Sequence, residues 1–457
     1  MVAQVKGYVT DVPYVPLVIQ HLAPAWLDHV AVISGMMPPT RKEGFAWCDL
    51  GCGQGTTAVI LAATHPCGRF HGIDAMPEHT DRGRRFAAEG EVGNVIFHTA
   101  DFATAGQLEL PNFDYIVAHG VYSWVGPQVR TDMRSFIDSR LKPGGLVYVS
   151  YYAMPGRAAD LPFQRLVRAI GETCKGDSTQ RAEAALKIID PLLGLKAPAL
   201  VASPMLSRLK REEYRVDASY LSHEYMGQHW DPLFVTEVRR DMATIGLKPV
   251  GSATLVENHD SFVLGKAGQE ALTAITDEDV RELARDFLID QFFRLDVFSR
   301  GGDQLDENEQ RRLLLAGAFT LTCPASKVDY TLHTAAGQLT FDNAAARAIV
   351  AALAAGPCTL GEIAQQRSVS VKDAIANAMV LCASNQIRPV EAMRTPVAKM
   401  NTALSRRLGG PEEIPYLALP CGTAIGINDK IRLLLRGQRG DDEEFGAWRD
   451  FLAAQSV

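Results

Sequence analysis

Through its N-terminal third the chain alternates short apolar runs with longer, more polar stretches. The runs fall at 46–50, 69–74, 94–100, 113–119 and 145–151, the last following a Lys142-Pro143-Gly144 turn. Each has the length and bounding residues of a strand, and strands at this spacing with helices between them predict a nucleotide-binding α/β sheet. Residues 160–205, rich in Ala and Leu, read as a helical insertion broken by Pro191, Pro198 and Pro204. Residues 232–253 read as a helix and the strand that completes the sheet. A helix is expected over 277–297, with Leu283, Phe287, Leu288, Phe292 and Leu295 at helical spacing and Gly301-Gly302-Asp303 ending it. Beyond it, 342–390 reads as three helices separated by turns: 345–353, one capped by Thr359 with Glu362 three residues on, and 371–384. That order is winged-helix-like. A terminal helix of mixed charge is expected within 432–457.

The pattern divides the chain into a catalytic unit at 1–265, with its insertion at about 160–215, and a C-terminal body at 270–457 whose winged-helix-like part covers about 340–392. With 457 residues, 47% of them hydrophobic, the chain can bury two or three ordinary cores. A net charge of −7 disfavours a sequence-independent grip on nucleic acid. The third helix of the winged-helix-like part sets Lys372 against Asp373 among alanines, which suits protein contact or lid support better than DNA. No apolar run reaches the ~18 residues of a membrane span, and the N-terminus lacks the basic-then-apolar order of a signal peptide. Eight scattered cysteines fit reduced thiols of the cytoplasm, with no zinc site and no disulfide framework.

The candidate chemistry begins where the first strand breaks into Asp49-Leu50-Gly51-Cys52-Gly53-Gln54-Gly55. Gly51, Gly53 and Gly55 allow a tight turn against which a flat ligand can lie. The turn lacks the Lys of a phosphate loop and has no basic residue for a pyrophosphate. Asp49 instead offers a carboxylate to a cationic amine. That combination points to S-adenosylmethionine, which carries an ammonium and a sulfonium. Asp74 ends the second strand, about 20 residues beyond the glycines, where an acid binds ribose hydroxyls. Asp101 follows the third, placed to accept from an adenine amino group. Each acid has another reading: Asp74 and Asp101 as helix caps, Asp49 as a stabiliser of the loop. Cys52 reads as a small apolar filler rather than a nucleophile.

Further segments carry a resemblance. They are Val12-Pro13-Tyr14, His119-Gly120-Val121-Tyr122-Ser123-Trp124-Val125, Ser150-Tyr151-Tyr152-Ala153-Met154-Pro155-Gly156, Tyr220-Leu221-Ser222-His223-Glu224-Tyr225, Val250-Gly251-Ser252-Ala253 and Gln291-Phe292-Phe293-Arg294-Leu295-Asp296-Val297. With the glycine loop, they resemble class I S-adenosylmethionine-dependent methyltransferases that carry a methyltransferase regulatory domain, including the rickettsial-type protein-lysine methyltransferases. The resemblance covers about 8–300 and continues more weakly to about 395. It implies a doubly wound, mostly parallel seven-stranded sheet. It also implies S-adenosylmethionine held by Asp49, Gly51, Cys52, Gly53, Gly55, Asp74, Ala75, Asp101, Phe102, His119 and Gly120, with no metal, and Tyr14 closing the cofactor from above. Tyr152 and Arg157 stand where that group has Asn and Trp, so substrate choice is not carried over.

A lysine acceptor must arrive neutral, and an aromatic channel disfavours its ammonium. Tyr122 and Trp124 are the expected channel, with His119 bonding the cofactor's edge or acting as base. His223 and Glu224 read as a structural pair or as acceptor-binding groups. Methylation of protein lysines is the expected function. The alternatives are a small-molecule or glycan-precursor acceptor, and a non-catalytic binder. Oligomeric state is left open.

Overall fold

The computed structural model describes residues 4–5, 7–205, 218–392, 394–438, 442–455 and 457. Its centre is a seven-stranded sheet of β1 (Phe45–Leu50), β2 (Gly68–Asp74), β3 (Val95–Thr99), β4 (Phe113–Ala118), β5 (Leu141–Tyr152), β6 (Lys248–Ser252) and β7 (Phe293–Ser299), in the order β3-β2-β1-β4-β5-β7-β6. The first five are parallel; β7 runs antiparallel to both β5 and β6. Period-two alternation sends neighbouring residues of β1 to opposite faces: Phe45 and Trp47 join one core, Ala46, Cys48 and Leu50 the other. Helices α1 (Pro24–Ile33), α2 (Thr56–Thr64) and α3 (Pro77–Glu89) cover the first face; α4 (Pro127–Arg140) covers the second.

The insertion forms α5 (Leu161–Thr173) and α6 (Ser178–Gly194), which pack with α7 (Ala218–Met226) through Phe163, Val167, Ala185, Ile189 and Tyr225. Residues 206–215 of the expected insertion lie outside the described residues. Pro191 lies inside α6, which continues through it instead of breaking there. Helix α8 (Val235–Ala243) then leads to β6.

The long helix expected over 277–297 is two elements. Helix α9 (Glu278–Ile289) ends at Asp290, whose φ of 49° turns the chain, and the following residues form β7. The sheet therefore draws on residues beyond 265. Strand β7 is buried although it carries Arg294 and Asp296, because they pair with each other at 3.0 Å and Arg294 also reaches Asp286 and Glu282.

In the C-terminal body, helices Ala344–Leu353, Leu360–Arg367 and Val371–Ala383 pack beside a small antiparallel sheet of Ala318–Leu321, Cys358–Thr359 and Ile387–Val390. Thr359 and Glu362 form the expected capping box. This body is not detached. One hydrophobic cluster contains Trp26, Leu27 and Val30 of α1 together with Phe319, Leu321, Val390 and Met400. Arg41 bridges Asp28 (2.8 Å) and Glu391, and Arg407 bonds Glu89 of α3 through two nitrogens at 2.8 and 3.0 Å. Among the described residues no helix is long and apolar enough to cross a membrane.

Candidate active site

The glycine loop rests on β2: Gly51 and Cys52 donate their N–H groups to the Ile73 carbonyl at 2.8 and 3.1 Å. Gly51 has φ +77° and any Cβ there would sit 2.5 Å from Val121 Cγ2, so only glycine fits. Gly53 differs. Its N–H donates to Asp74 Oδ2 at 2.9 Å, while a Cβ would meet nothing within 4 Å, so its open side is available to a ligand. Gly55 packs away from that side, under Phe97, whose Cε1 a Cβ would approach to 2.3 Å. It therefore serves the fit of α2 to β3 rather than the ligand expected there, and it does not line the cavity described next.

Above the carboxyl ends of β1, β2 and β4 lies a cavity of about 410 Å³, within the range of small-molecule sites. Asp49, Asp74 and Asp101 all line it, as do Gly51, Cys52, Gly53, Ala75, Phe102, His119 and Gly120. Asp49 is 5% exposed and has no hydrogen-bond or ion-pair partner among the described residues. Burial, with the nearby Asp74 charge, pushes its carboxyl up to about 8. A cationic group placed beside it would supply the missing counter-charge. Asp74 accepts from Gly53 N–H and, through Oδ1, from Met76 N–H at 2.9 Å and the His79 ring at 3.1 Å. Asp101 accepts from the Thr104 N–H and hydroxyl, so it caps a helix and still faces the cavity. The two readings of that residue are compatible.

His119 bonds Tyr148 through Nδ1 at 2.9 Å, and burial lowers it to about 4, so the ring is neutral. Gly120 N–H donates to Ser150 at 2.9 Å, fixing the turn after β4. Burial raises the Cys52 thiol well above its usual range, which removes it as a nucleophile and suits the filler reading.

Beyond the carboxylates the wall turns aromatic, with Tyr14, Trp124, Tyr152, Tyr220, Phe292 and Phe293. Trp124 packs on Tyr152 with ring centres 4.5 Å apart. Tyr122 does not belong to this wall. It is fully buried, and its hydroxyl donates to Asp241 at 2.6 Å and accepts from Arg134 at 3.0 Å, tying the post-β4 turn to α8 and α4. The expected channel role is corrected for that residue. The loop after β4 reverses direction there, so two nearby aromatics point to opposite sides.

His223 and Glu224 both line the cavity without bonding each other. His223 Nε2 donates to the Val12 carbonyl at 2.9 Å; Glu224 accepts from Tyr152 (2.9 Å) and Trp230 (2.8 Å), and burial raises its carboxyl. Arg157, 4% exposed, also reaches the cavity, stacked 3.9 Å over the Tyr152 ring and paired with Asp160 at 2.9 Å. Sequence reasoning missed His79, which sits in the first turn of α3, five residues after Asp74. Only that spacing could have drawn attention to it.

The residues present fit S-adenosylmethionine: an uncompensated buried carboxylate, two further carboxylates and an open glycine edge share one cavity. Residues 41–218 match a family model described as a methyltransferase domain, and residues 217–300 one described as a predicted methyltransferase regulatory domain. The uncharacterised protein sll1526 of Synechocystis is 29% identical over 452 residues, 96% of this chain and 89% of that protein. Trans-aconitate 2-methyltransferase of Streptomyces coelicolor is 31% identical over 125 residues, 27% of this chain and 39% of that enzyme. Among solved structures, PKMT2 from Rickettsia typhi in complex with AdoHcy shares the fold, with TM-score 0.70 at 20% identity, covering 97% of this chain and 91% of that chain. Strand order, cavity and both family models agree: the chain is an S-adenosylmethionine-dependent methyltransferase of class I fold, whose residues 41–218 match a methyltransferase domain and whose residues 217–300 match a predicted methyltransferase regulatory domain.

Proposed function

We propose that the chain methylates the ε-amine of lysine side chains on protein acceptors, in the cytoplasm. Asp49 binds the donor's ammonium, Asp74 its ribose hydroxyls and Asp101 its adenine amino group, with His119 against its edge. S-adenosylmethionine supplies a methyl already activated by the sulfonium. The chain's work is therefore to seat the donor, exclude water and admit an uncharged amine along the line of the bond to be broken. The observation that carries the lysine reading is the aromatic wall of Tyr14, Trp124, Tyr152 and Tyr220 beside the carboxylates. Such a wall solvates an ammonium poorly and favours the free lone pair. Phe292 supports a macromolecular acceptor, because it lines the cavity and is also 44% exposed at its edge. The likeness in fold to PKMT2 agrees with this reading.

A second reading, transfer to a small anionic acceptor, is favoured by Arg157. Among the described residues its Nη2 makes no hydrogen bond, and its one ion pair is with Asp160. The full chain, incubated with methyl-labelled S-adenosylmethionine and cell extract, is expected to place label on protein as methyl-lysine. Label confined to small molecules refutes the lysine reading and supports the second.

A further inference from the structure

We propose that His79 is a positioning residue for the methyl donor: one nitrogen holds Asp74, and the other pins chain segment 8–22 across the donor cavity. The proposal rests on Asp74 being the ribose carboxylate, as proposed above. His79 is 1% exposed. The Tyr14 backbone N–H donates to its Nε2 at 3.0 Å, so that nitrogen carries no proton. The ring proton is then on Nδ1, which donates to Asp74 Oδ1 at 3.1 Å. A neutral imidazole has one donor and one acceptor, and here each has a different task.

The segment it pins has little structure of its own. Residues 10–19 form no helix or strand and are mostly half-buried, yet Thr10, Tyr14, Val15 and Leu17 line the cavity. Among the described residues, four side chains hold the segment on the sheet side: Trp47 of β1 donates to the Leu22 carbonyl at 3.0 Å, and three others act nearer its middle. Gln54 donates to the Tyr14 carbonyl, Thr57 donates to the Leu17 carbonyl and accepts from Ile19 N–H (both 3.1 Å), and His79 accepts from Tyr14. On the insertion side His223 holds Val12. Of these ties only His79 also bonds a cavity carboxylate. Losing it loosens the segment at Tyr14 and leaves Asp74 Oδ1 with the Met76 N–H alone, so donor affinity and ordering of the segment fall together.

Three measurements on the full chain test this. Titration calorimetry with S-adenosylmethionine gives donor affinity. Chymotrypsin digestion, with and without the donor, reads the segment, which offers Tyr8, Tyr14 and Leu17 and no Lys or Arg. Nitrogen NMR of the wild type reads the tautomer. His79→Leu fills the space and loses both bonds; it is expected to weaken the donor Kd at least about tenfold and to abolish donor-dependent protection of the segment. His79→Gln keeps one donor and one acceptor in its amide, and is expected to stay within about threefold with protection retained. Wild-type binding by His79→Leu, or equal losses in both variants, overturns the proposal. So does an Nε2–H tautomer, or a wild-type segment whose digestion ignores the donor, and neither depends on a variant folding. Asp74→Asn separates the two layers. If it binds as tightly as wild type, the ribose reading fails; if it binds weakly while His79→Leu does not, only the His79 proposal fails.

Discussion

Donor binding should release a proton from Asp49. Without ligand this carboxyl is buried beside Asp74 and sits at about 8, so at pH 7 roughly one molecule in ten is ionised there. An ammonium requires the carboxylate, and ionising it at pH 7 costs about 1.4 kcal/mol, one pH unit's worth of proton affinity. The sign follows from linkage. A carboxyl held above its ordinary value favours the proton-bound folded state, so its contribution to ligand-free stability is complete below about pH 4 and is lost as pH rises through about 8. Donor affinity runs the other way, tightening about tenfold per pH unit while Asp49 remains mostly protonated. Between pH 5.5 and 7.0 the Kd should fall about thirtyfold, a window in which an α-ammonium keeps its proton. His119 and His223, both lowered by burial to about 4, stay neutral throughout and add nothing to the slope. Calorimetry in two buffers of different ionisation enthalpy counts the proton directly, and Asp49→Asn should flatten the profile. A Kd constant across the window, or a slope that survives in Asp49→Asn, refutes the assignment of the ammonium to this residue.

Other perturbations follow from the geometry. Tyr122→Phe should lower stability by about 1–2 kcal/mol through its lost bonds with Asp241 and Arg134, measured by denaturant unfolding, while donor Kd and turnover stay unchanged. Trp124→Leu should slow labelled methyl transfer at least about tenfold with donor affinity within about twofold, because the indole belongs to the aromatic wall proposed above to receive the acceptor. Gly55→Ala must place a β-carbon against Phe97 at φ +70° and should cost about 1–3 kcal/mol or more, read as a lower unfolding midpoint. Arg41→Met leaves Asp28 and Glu391 without their shared cation. Because Arg41 is 22% exposed, screening limits the loss to about 1–3 kcal/mol, visible as a lower Tm.

Much of the sheet was legible from the chain because each of the five parallel strands is a compact apolar run closed by a turn. Asp49, Asp74 and Asp101 could be placed together for the same reason, since strand ends on one edge of a parallel sheet share one cleft. Strand β7 was hidden. Leu288, Phe292 and Leu295 continue the helical spacing of α9, and Arg294 and Asp296 look unlike a buried strand until the ion pairs that neutralise them are known. Tyr122 misled because nearness to Trp124 in sequence says nothing about which side of a turn a ring takes. His79 was silent because its Tyr14 partner is fixed only by the folded path of the N-terminal segment, and nearness to Asp74 in sequence says nothing of that second bond.

The apolar cluster running from α1 into Phe319, Leu321 and Val390 ties the C-terminal body to the large sheet, so the two are expected to melt together, which a calorimetric scan of the full chain would read as one transition. A fragment cut after Ser299 would keep every strand of the large sheet and still expose the flank of α1 that Phe319 covers. Its poor solubility would then reflect a torn core, and inactivity of such a fragment would carry no information about regulation by the missing part.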